Sequence, residues 1–318
     1  ETVVCRICGL VSHAHLPSES ELTDYYRAHY RQEYHGEYQP SAHRVVRAWN
    51  RGRQICDLVR PQLHPADRIL EVGSGIGCTV SQLRRFGYQA TGIEPGEGFR
   101  RFAQKQLGVS VSNAVLDDLP RRPVADMVLL VHVLEHLPSP SLAMSHLRSL
   151  LHEGGRCYVE VPNAGAPHAA PGKMFHFAHI YNFTRDSLGM LAAKANFHVL
   201  KWLSSPRDKT LRVILQAGQI ESWENVPGSY ERALRAMTGY TRLQYVLRWS
   251  YLRQRLRTLV SHQSDRVLAS HRVQRILNRA GEDRVSAARE VEAALRNRAL
   301  QDETSRYSDG SVRAVHST

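Results

Sequence analysis

Glu71 stands two residues before Gly73, and Gly73, Gly75 and Gly77 then remove three side chains at alternate positions, with Ser74 between the first two. Glycines so spaced let backbone N–H groups and a helix N-terminus come close to a ligand. The spacing departs from the dinucleotide fingerprint G-x-G-x-x-G, because the third glycine comes one residue early and Cys78 takes the last position. A carboxylate just before the turn repels a pyrophosphate and attracts an ammonium. The expected ligand therefore carries a cationic amino-acid head. Glu94 closes the next apolar run, about 20 residues after the turn, where an acid holds a ribose diol.

A second group of residues could move a proton. Histidine changes charge near neutral pH, and His132, His136, His176 and His179 are the candidates. His132 and His179 lead, since one ends the apolar run Ala125–Val131 and the other lies in the loop after the next strand. His132, Glu135 and His136 fall at i, i+3 and i+4, so one helical turn can aim all three at one point, with His179 as a fourth metal ligand. Each histidine also fits a purely structural role. Cys5-x-x-Cys8-Gly9 is half of a zinc ribbon, and a closed site needs four ligands. His13 and His15 sit awkwardly for one metal, and two free thiols in a terminal segment are the other reading.

These residues need a scaffold. Arg68–Val72 reads as a short buried strand, Cys78–Phe86 as a helix, Tyr88–Ile93 as a second strand and Leu107–Asn113 as a third. Ala125–Val131 is apolar throughout, as a parallel strand buried on both faces should be. A helix over Leu142–Leu151, a turn at His152–Gly155 and a strand Arg156–Val161 follow. Thr184 caps a helix through Ala195, and Phe197–Leu203 and Leu211–Ala217 form a closing hairpin. Ligands of open α/β sheets sit beyond the carboxyl ends of the strands, which places His132 beside the cofactor. Upstream, Ser18 and Glu21 make a capping-box pattern. Tyr26, Tyr30, Tyr34 and Tyr38 then share one helical stripe with Tyr25 beside it, either a packing face or a lid over a substrate. Ser41–Pro61 is an amphipathic helix burying Val45, Val46, Trp49, Ile55, Leu58 and Val59. From Gln219 to about Leu300 Arg-rich helical patterns dominate, an appendage for dimerisation, substrate capping or anchoring. Asp302–Thr318 reads as a polar tail.

The 318 residues suit one large domain with additions. Hydrophobic content of 42% and charged content of 23% are those of an ordinary soluble protein. A net charge of +12 permits a nucleic-acid partner. The arginines are dispersed without a long run, however, which is a weak footprint. Five cysteines without regular spacing argue against a disulfide framework and for a reducing, cytoplasmic setting. No apolar run approaches a bilayer span and no signal-peptide pattern opens the chain. The first residue is Glu rather than Met, so the N-terminus is expected to have been cut or left out.

The stretch E-V-G-S-G-I-G resembles motif I of class I S-adenosylmethionine (SAM)-dependent methyltransferases. The resemblance implies an α/β fold, a Rossmann-like seven-stranded sheet whose seventh strand is antiparallel beside the sixth. It implies SAM held by Glu71, Gly73, Ser74, Gly75 and Gly77 at its methionine part, and by Glu94 at its ribose. Asp117-Asp118-Leu119-Pro120 resembles the segment that borders adenine, and His132 falls near the methyl group. His152–Asn163 resembles the family's G-G strand ending in P-N. Cys5 and Cys8 resemble the second of two C-x-x-C knuckles found in members from bacterial glycan and natural-product pathways, which implies a structural zinc and a first pair upstream of Glu1. Val133-Leu134-Glu135-His136 resembles ubiquinone-pathway O-methyltransferases. The same stretch, with His179 ahead of Tyr181-x-Phe183-Thr184-Arg185, resembles metal-dependent 2′-O-methyltransferases of small RNAs, although His132 replaces their first Glu.

The expected organisation is a zinc-knuckle remnant (1–15), a helical cap (16–65), a SAM-binding domain (66–218) and a helical extension (219–318). The expected function is methyl transfer from SAM to a hydroxyl of a small molecule, sugar or glycan, with His132, His136 or His179 as base. An RNA acceptor with a catalytic metal, or a SAM-binding scaffold without turnover, is the alternative. Homo-oligomerisation through the C-terminal helices is a further expectation.

Overall fold

A computed structural model describes residues 1–16, 18, 21, 38–166, 179–239, 247 and 269–282. Three short strands, β1 (Thr2–Val4), β2 (Val11–His13) and β8 (Tyr181–Asn182), make a small antiparallel sheet in the order β1-β2-β8. The main sheet comprises β3 (Arg68–Val72), β4 (Gln89–Ile93), β5 (Val111–Ser112), β6 (Ala125–Val131), β7 (Leu151–Pro162), β9 (Phe197–Trp202) and β10 (Thr210–Ala217). Its order is β5-β4-β3-β6-β7-β10-β9. The first five run parallel, and β10 is antiparallel to both neighbours. The closing hairpin thus inserts its second strand inside the first, as the sequence predicts.

The helices among the described residues include α1 (Ala42–Val59), α2 (Cys78–Arg85), α3 (Glu97–Phe102), α4 (Pro140–Leu150), α5 (Arg185–Lys194) and α6 (Ser229–Thr238). Residues 269–282 are also helical. Successive strand residues point to opposite faces, so the apolar runs of β3 and β6 feed two cores. Leu70, Val72, Val128 and Leu130 pack with Met144 and Leu147 of α4 and Leu188 of α5. Ile69, Met127 and Leu129 pack on the other face with Val45, Trp49 and Ile55 of α1 and Val80 and Leu83 of α2. Ile276 and Ala280 join that second core, so part of the C-terminal extension covers the sheet rather than standing apart from it.

Local signals hold at several ends. Ser187 N–H donates to Thr184 Oγ1 (3.1 Å) and Thr184 N–H to Ser187 Oγ (2.9 Å), a reciprocal cap on α5. Glu21 Oε2 accepts from Ser18 N–H, as the capping box requires. Tyr25, Tyr26, Tyr30, Tyr34 and His176 lie outside the described residues. Three boundaries differ from expectation. The third strand shrinks to Val111–Ser112, because the chain stays helical through Leu107 and Gly108 (φ +67) then closes that turn. The fourth helix starts at Pro140, whose missing N–H costs nothing in a first turn. The next strand begins at Leu151, without a separate turn at His152–Gly155.

Gly77 lies at φ +74, and a Cβ there would come within 2.8 Å of Ala103 Cβ and 2.9 Å of Val109 Cγ2. Gly77→Ala is expected to lower stability by about 2–3 kcal/mol, through left-handed backbone strain plus overpacking. Urea unfolding measures it, and an unchanged midpoint would contradict this account.

Candidate functional site

The carboxyl ends of β3, β4, β6 and β7 open into one cleft of about 830 Å³. Its floor is the glycine bend between β3 and α2. Gly73 and Gly75 lie at φ +71 and +55. A Cβ on Gly73 would stand 2.6 Å from Val133 Cγ2, so this glycine lets the loop after β6 close onto the bend. Glu94 is 1% exposed and braces the bend: Oε2 accepts from Gly75 N–H (2.9 Å) and Oε1 from Gly96 N–H (2.8 Å). A carboxylate offers about four acceptor positions, so bracing the bend and holding a sugar diol are compatible roles. Ser74 turns its hydroxyl to the Ile93 carbonyl (3.4 Å), a contact that joins β3 to β4.

Glu71 is 4% exposed, and its Oε2 has no hydrogen-bond partner among the described residues. Burial pushes its carboxyl up to about 8; the charge of Glu94 adds to this, and a hydrogen bond to Thr79 opposes it. Asp117 lines the same cleft with an 80% exposed side chain, 3.8 Å from His146 Nδ1. The turn itself is held by Asp118, whose Oδ2 accepts from Val115 N–H (2.9 Å), so Asp117 is not spent on it.

The histidines divide into two groups. His132 has φ +53, unusual for a residue with a Cβ, and this takes it out of the turn Leu134–His136. Its Nδ1 lies 3.1 Å from Glu135 Oε1 and its Nε2 3.1 Å from Glu160 Oε1. The expectation that one helical turn aims His132, Glu135 and His136 at one point is therefore corrected. Glu135, His136 and His179 converge instead, with ligand atoms within 4.8 Å of one another. The rings of His136 and His179 meet edge-on, centroids 4.8 Å apart. Glu135 is fully buried, which raises its carboxyl. The hydrogen bond from His132 and the positive fields of His136, His132 and His179 outweigh burial and hold it below the usual carboxylate range. Glu135 Oε2 has no hydrogen-bond partner among the described residues.

Strand β8 positions His179. Ser12 and Val11 of β2 pair with Tyr181 and Asn182, His13 N–H donates to Ile180 O (3.2 Å), and Asn182 Nδ2 donates to His179 O (3.2 Å). The amino-terminal hairpin is therefore part of the site's frame. Cys5 and Cys8 lie on its turn, with Gly9 N–H donating to Cys5 O (2.9 Å). Among the described residues no third Cys, His, Asp or Glu joins them, so they do not by themselves make a closed zinc site.

Two features escaped sequence reasoning. Glu160, in the apolar strand C-Y-V-E-V, is fully buried and accepts from Tyr158 Oη (2.6 Å); Arg51 and Arg212 pair with it. An acid at a core-facing strand position was its signal. Arg44, Arg47 and Arg51 of α1 all line the cleft, and their i, i+3, i+7 spacing would have placed them on one face.

The comparisons with known proteins now bear on this geometry. The methyltransferase-domain family matches residues 43–201, half of the chain. With the sheet order, the glycine bend and the acid ending β4, the chain belongs to the class I SAM-dependent methyltransferases. It is 35% identical over 92 residues to a ubiquinone biosynthesis O-methyltransferase of Paramagnetospirillum magneticum, covering 27% of this chain and 37% of that protein. It is 26% identical over 164 residues to an uncharacterised protein of Mycobacterium tuberculosis, covering 44% of this chain and 54% of that one. The chain thus spans between a third and just over a half of these relatives. In structure it is similar to a Burkholderia thailandensis 1,6-didemethyltoxoflavin-N1-methyltransferase bound to S-adenosylhomocysteine. That fold matches with a TM-score of 0.52 and 17% identity, over 69% of this chain and all of the other. No helix among the described residues is long and apolar enough to cross a membrane.

Proposed function

We propose that the protein transfers the methyl group of SAM to a hydroxyl of a small molecule, sugar or glycan in the cytoplasm. The observation that carries this is one cleft with two chemically distinct ends: Glu71, the glycine bend and Glu94 at one, and His136 and His179 at the other, with buried Glu135 beside them. The residues fit the cofactor. Glu71 Oε2 is a buried oxygen without a hydrogen-bond partner among the described residues, as an ammonium needs, and Gly73 and Gly75 of the bend line the same cleft without side chains of their own. Glu94 holds the ribose and Asp117 the adenine edge. When bound, SAM supplies an electrophilic methyl group on a positively charged sulfur. Aligning the acceptor with that methyl is the main contribution, and it is entropic. The acceptor must also lose a proton. His132 has each ring nitrogen 3.1 Å from a carboxylate oxygen; we therefore assign the proton to His179, which lines the cleft with the His136 ring beside it. The O-methyltransferase relative supports oxygen as the acceptor atom. The test is transfer of radiolabelled methyl from SAM to a panel of sugars, phenols and amines. Methylation confined to amines would overturn the reading.

One observation favours a metal-assisted form of this reaction, on RNA or another hydroxyl. Two histidines and a carboxylate with an unpartnered buried oxygen form a three-ligand set for a divalent transition metal. Bound there, a cation would make the hydroxyl more acidic without a side-chain base. Chelator dialysis followed by Mn²⁺, Co²⁺ or Zn²⁺ separates the two. Activity lost and restored supports the metal, and activity unchanged supports the histidine base. A gel shift with salt competition tests the RNA acceptor.

Cofactor affinity is expected to rise with pH. Glu71 faces Glu94 from β4, Cys56 from α1 and Cys78 and Thr79 from α2. Its carboxyl titrates near 8, so below that pH it is protonated and must release the proton to pair with an ammonium. Affinity should therefore climb about tenfold per pH unit from 6 towards 8 and level off above. Calorimetry with S-adenosylhomocysteine measures the slope, and Glu71→Gln should flatten it. A flat wild-type profile would count against the pairing.

A further inference from the structure

The cleft is more cationic than its cofactor requires. Among the described residues its acidic lining is Glu71 and Glu94 at the bend and the outward Asp117. Against them, α1 presents Arg44, Arg47 and Arg51 along one face, about 10 Å of helix from first to last. Arg51 pairs with buried Glu160, which also receives Arg212, so two guanidiniums share one carboxylate beside His132. Arg47, one turn away, is exposed and makes no hydrogen bond or ion pair with the described residues, and the same holds for Arg121 across the cleft. SAM brings one carboxylate. Covering the cleft with two ligands removes water from these guanidiniums, which is unfavourable unless the ligands supply matching negative charge. One anion leaves the cationic wall under-matched.

We propose that the acceptor carries an anionic oxygen group, a phosphate or a carboxylate, seated against Arg47 and Arg51 of α1 beside His132. This rests on the methyl-transfer reading and names the class of acceptor for it. A guanidinium presents paired N–H groups that match two oxygens of such a group. The hydroxyl to be methylated would then lie elsewhere on the same molecule, anchored by its charged end and reaching towards His179.

The test uses the full chain saturated with S-adenosylhomocysteine, so that the cofactor's own carboxylate is already in place. Inorganic pyrophosphate and, separately, succinate are titrated in by calorimetry at near-physiological ionic strength. Saturable binding of at least one is expected, and the tighter of the two shows whether phosphate or carboxylate is preferred. Arg47→Ala should weaken that binding about tenfold and leave S-adenosylhomocysteine affinity within about threefold. Arg53→Ala, an exposed substitution on α1 outside the cleft lining, controls for the net positive charge. No saturable binding by either anion overturns the proposal, and so does an equal loss in the Arg53 variant. A large loss of S-adenosylhomocysteine affinity in Arg47→Ala also overturns it, by assigning that guanidinium to the cofactor. If S-adenosylhomocysteine itself fails to bind, the methyl-transfer reading fails first; if it binds and neither anion does, only the anionic acceptor is lost.

Discussion

Glu94→Ala is expected to weaken S-adenosylhomocysteine binding by about hundredfold or more. Two losses combine in this variant. The carboxylate proposed to hold the ribose disappears, and so do the acceptors of Gly75 N–H and Gly96 N–H. Those backbone donors flank the glycine bend, and a buried donor left unpaired costs roughly 1–3 kcal/mol by itself. The bend would reorganise and present its N–H groups differently to the methionine part. Calorimetry on the folded variant decides the matter. An affinity within about threefold of wild type would mean that the acid ending β4 does not hold the cofactor.

His179→Ala is expected to lower kcat by about hundredfold or more, the usual cost of losing a positioned base, with S-adenosylhomocysteine affinity unchanged. The substitution should leave the fold intact. His179 is half-buried, and its contact to Asn182 runs through the backbone carbonyl, which alanine keeps. Added imidazole should restore part of the rate if the ring acts as a base. A kcat within twofold or so of wild type would move proton removal to His136 or to solvent. The same variant informs the metal-assisted form, because loss of one ligand of three should abolish any metal-dependent rate that imidazole cannot recover.

The glycine-bend end of the cleft was legible in the chain. Glu71, the three glycines and Glu94 lie within one strand–turn–helix–strand unit, and local spacing decides where such residues stand. The continuous apolar run Ala125–Val131 announced a strand buried on both faces, and two cores do cover it. The histidine end was not legible in the same way. His132 and Glu135 are three apart, yet they bond through a left-handed residue rather than along one helical turn. Glu160 lies 28 residues beyond His132, and only the pairing of β6 with β7 brings the two together.

What the sequence determined by itself was the class of fold and the place of the glycine bend and its two acids in it. Both depend on short-range facts: where side chains are missing, where an acid ends a strand, and which runs are apolar. What tertiary structure alone decided was which histidines meet, which acids are buried among cations, and which arginines face the cleft. Those outcomes depend on strand order and on the amino-terminal hairpin pairing with β8, contacts between segments far apart in the chain. No spacing along one segment encodes such distances, because they are set by how the layers pack.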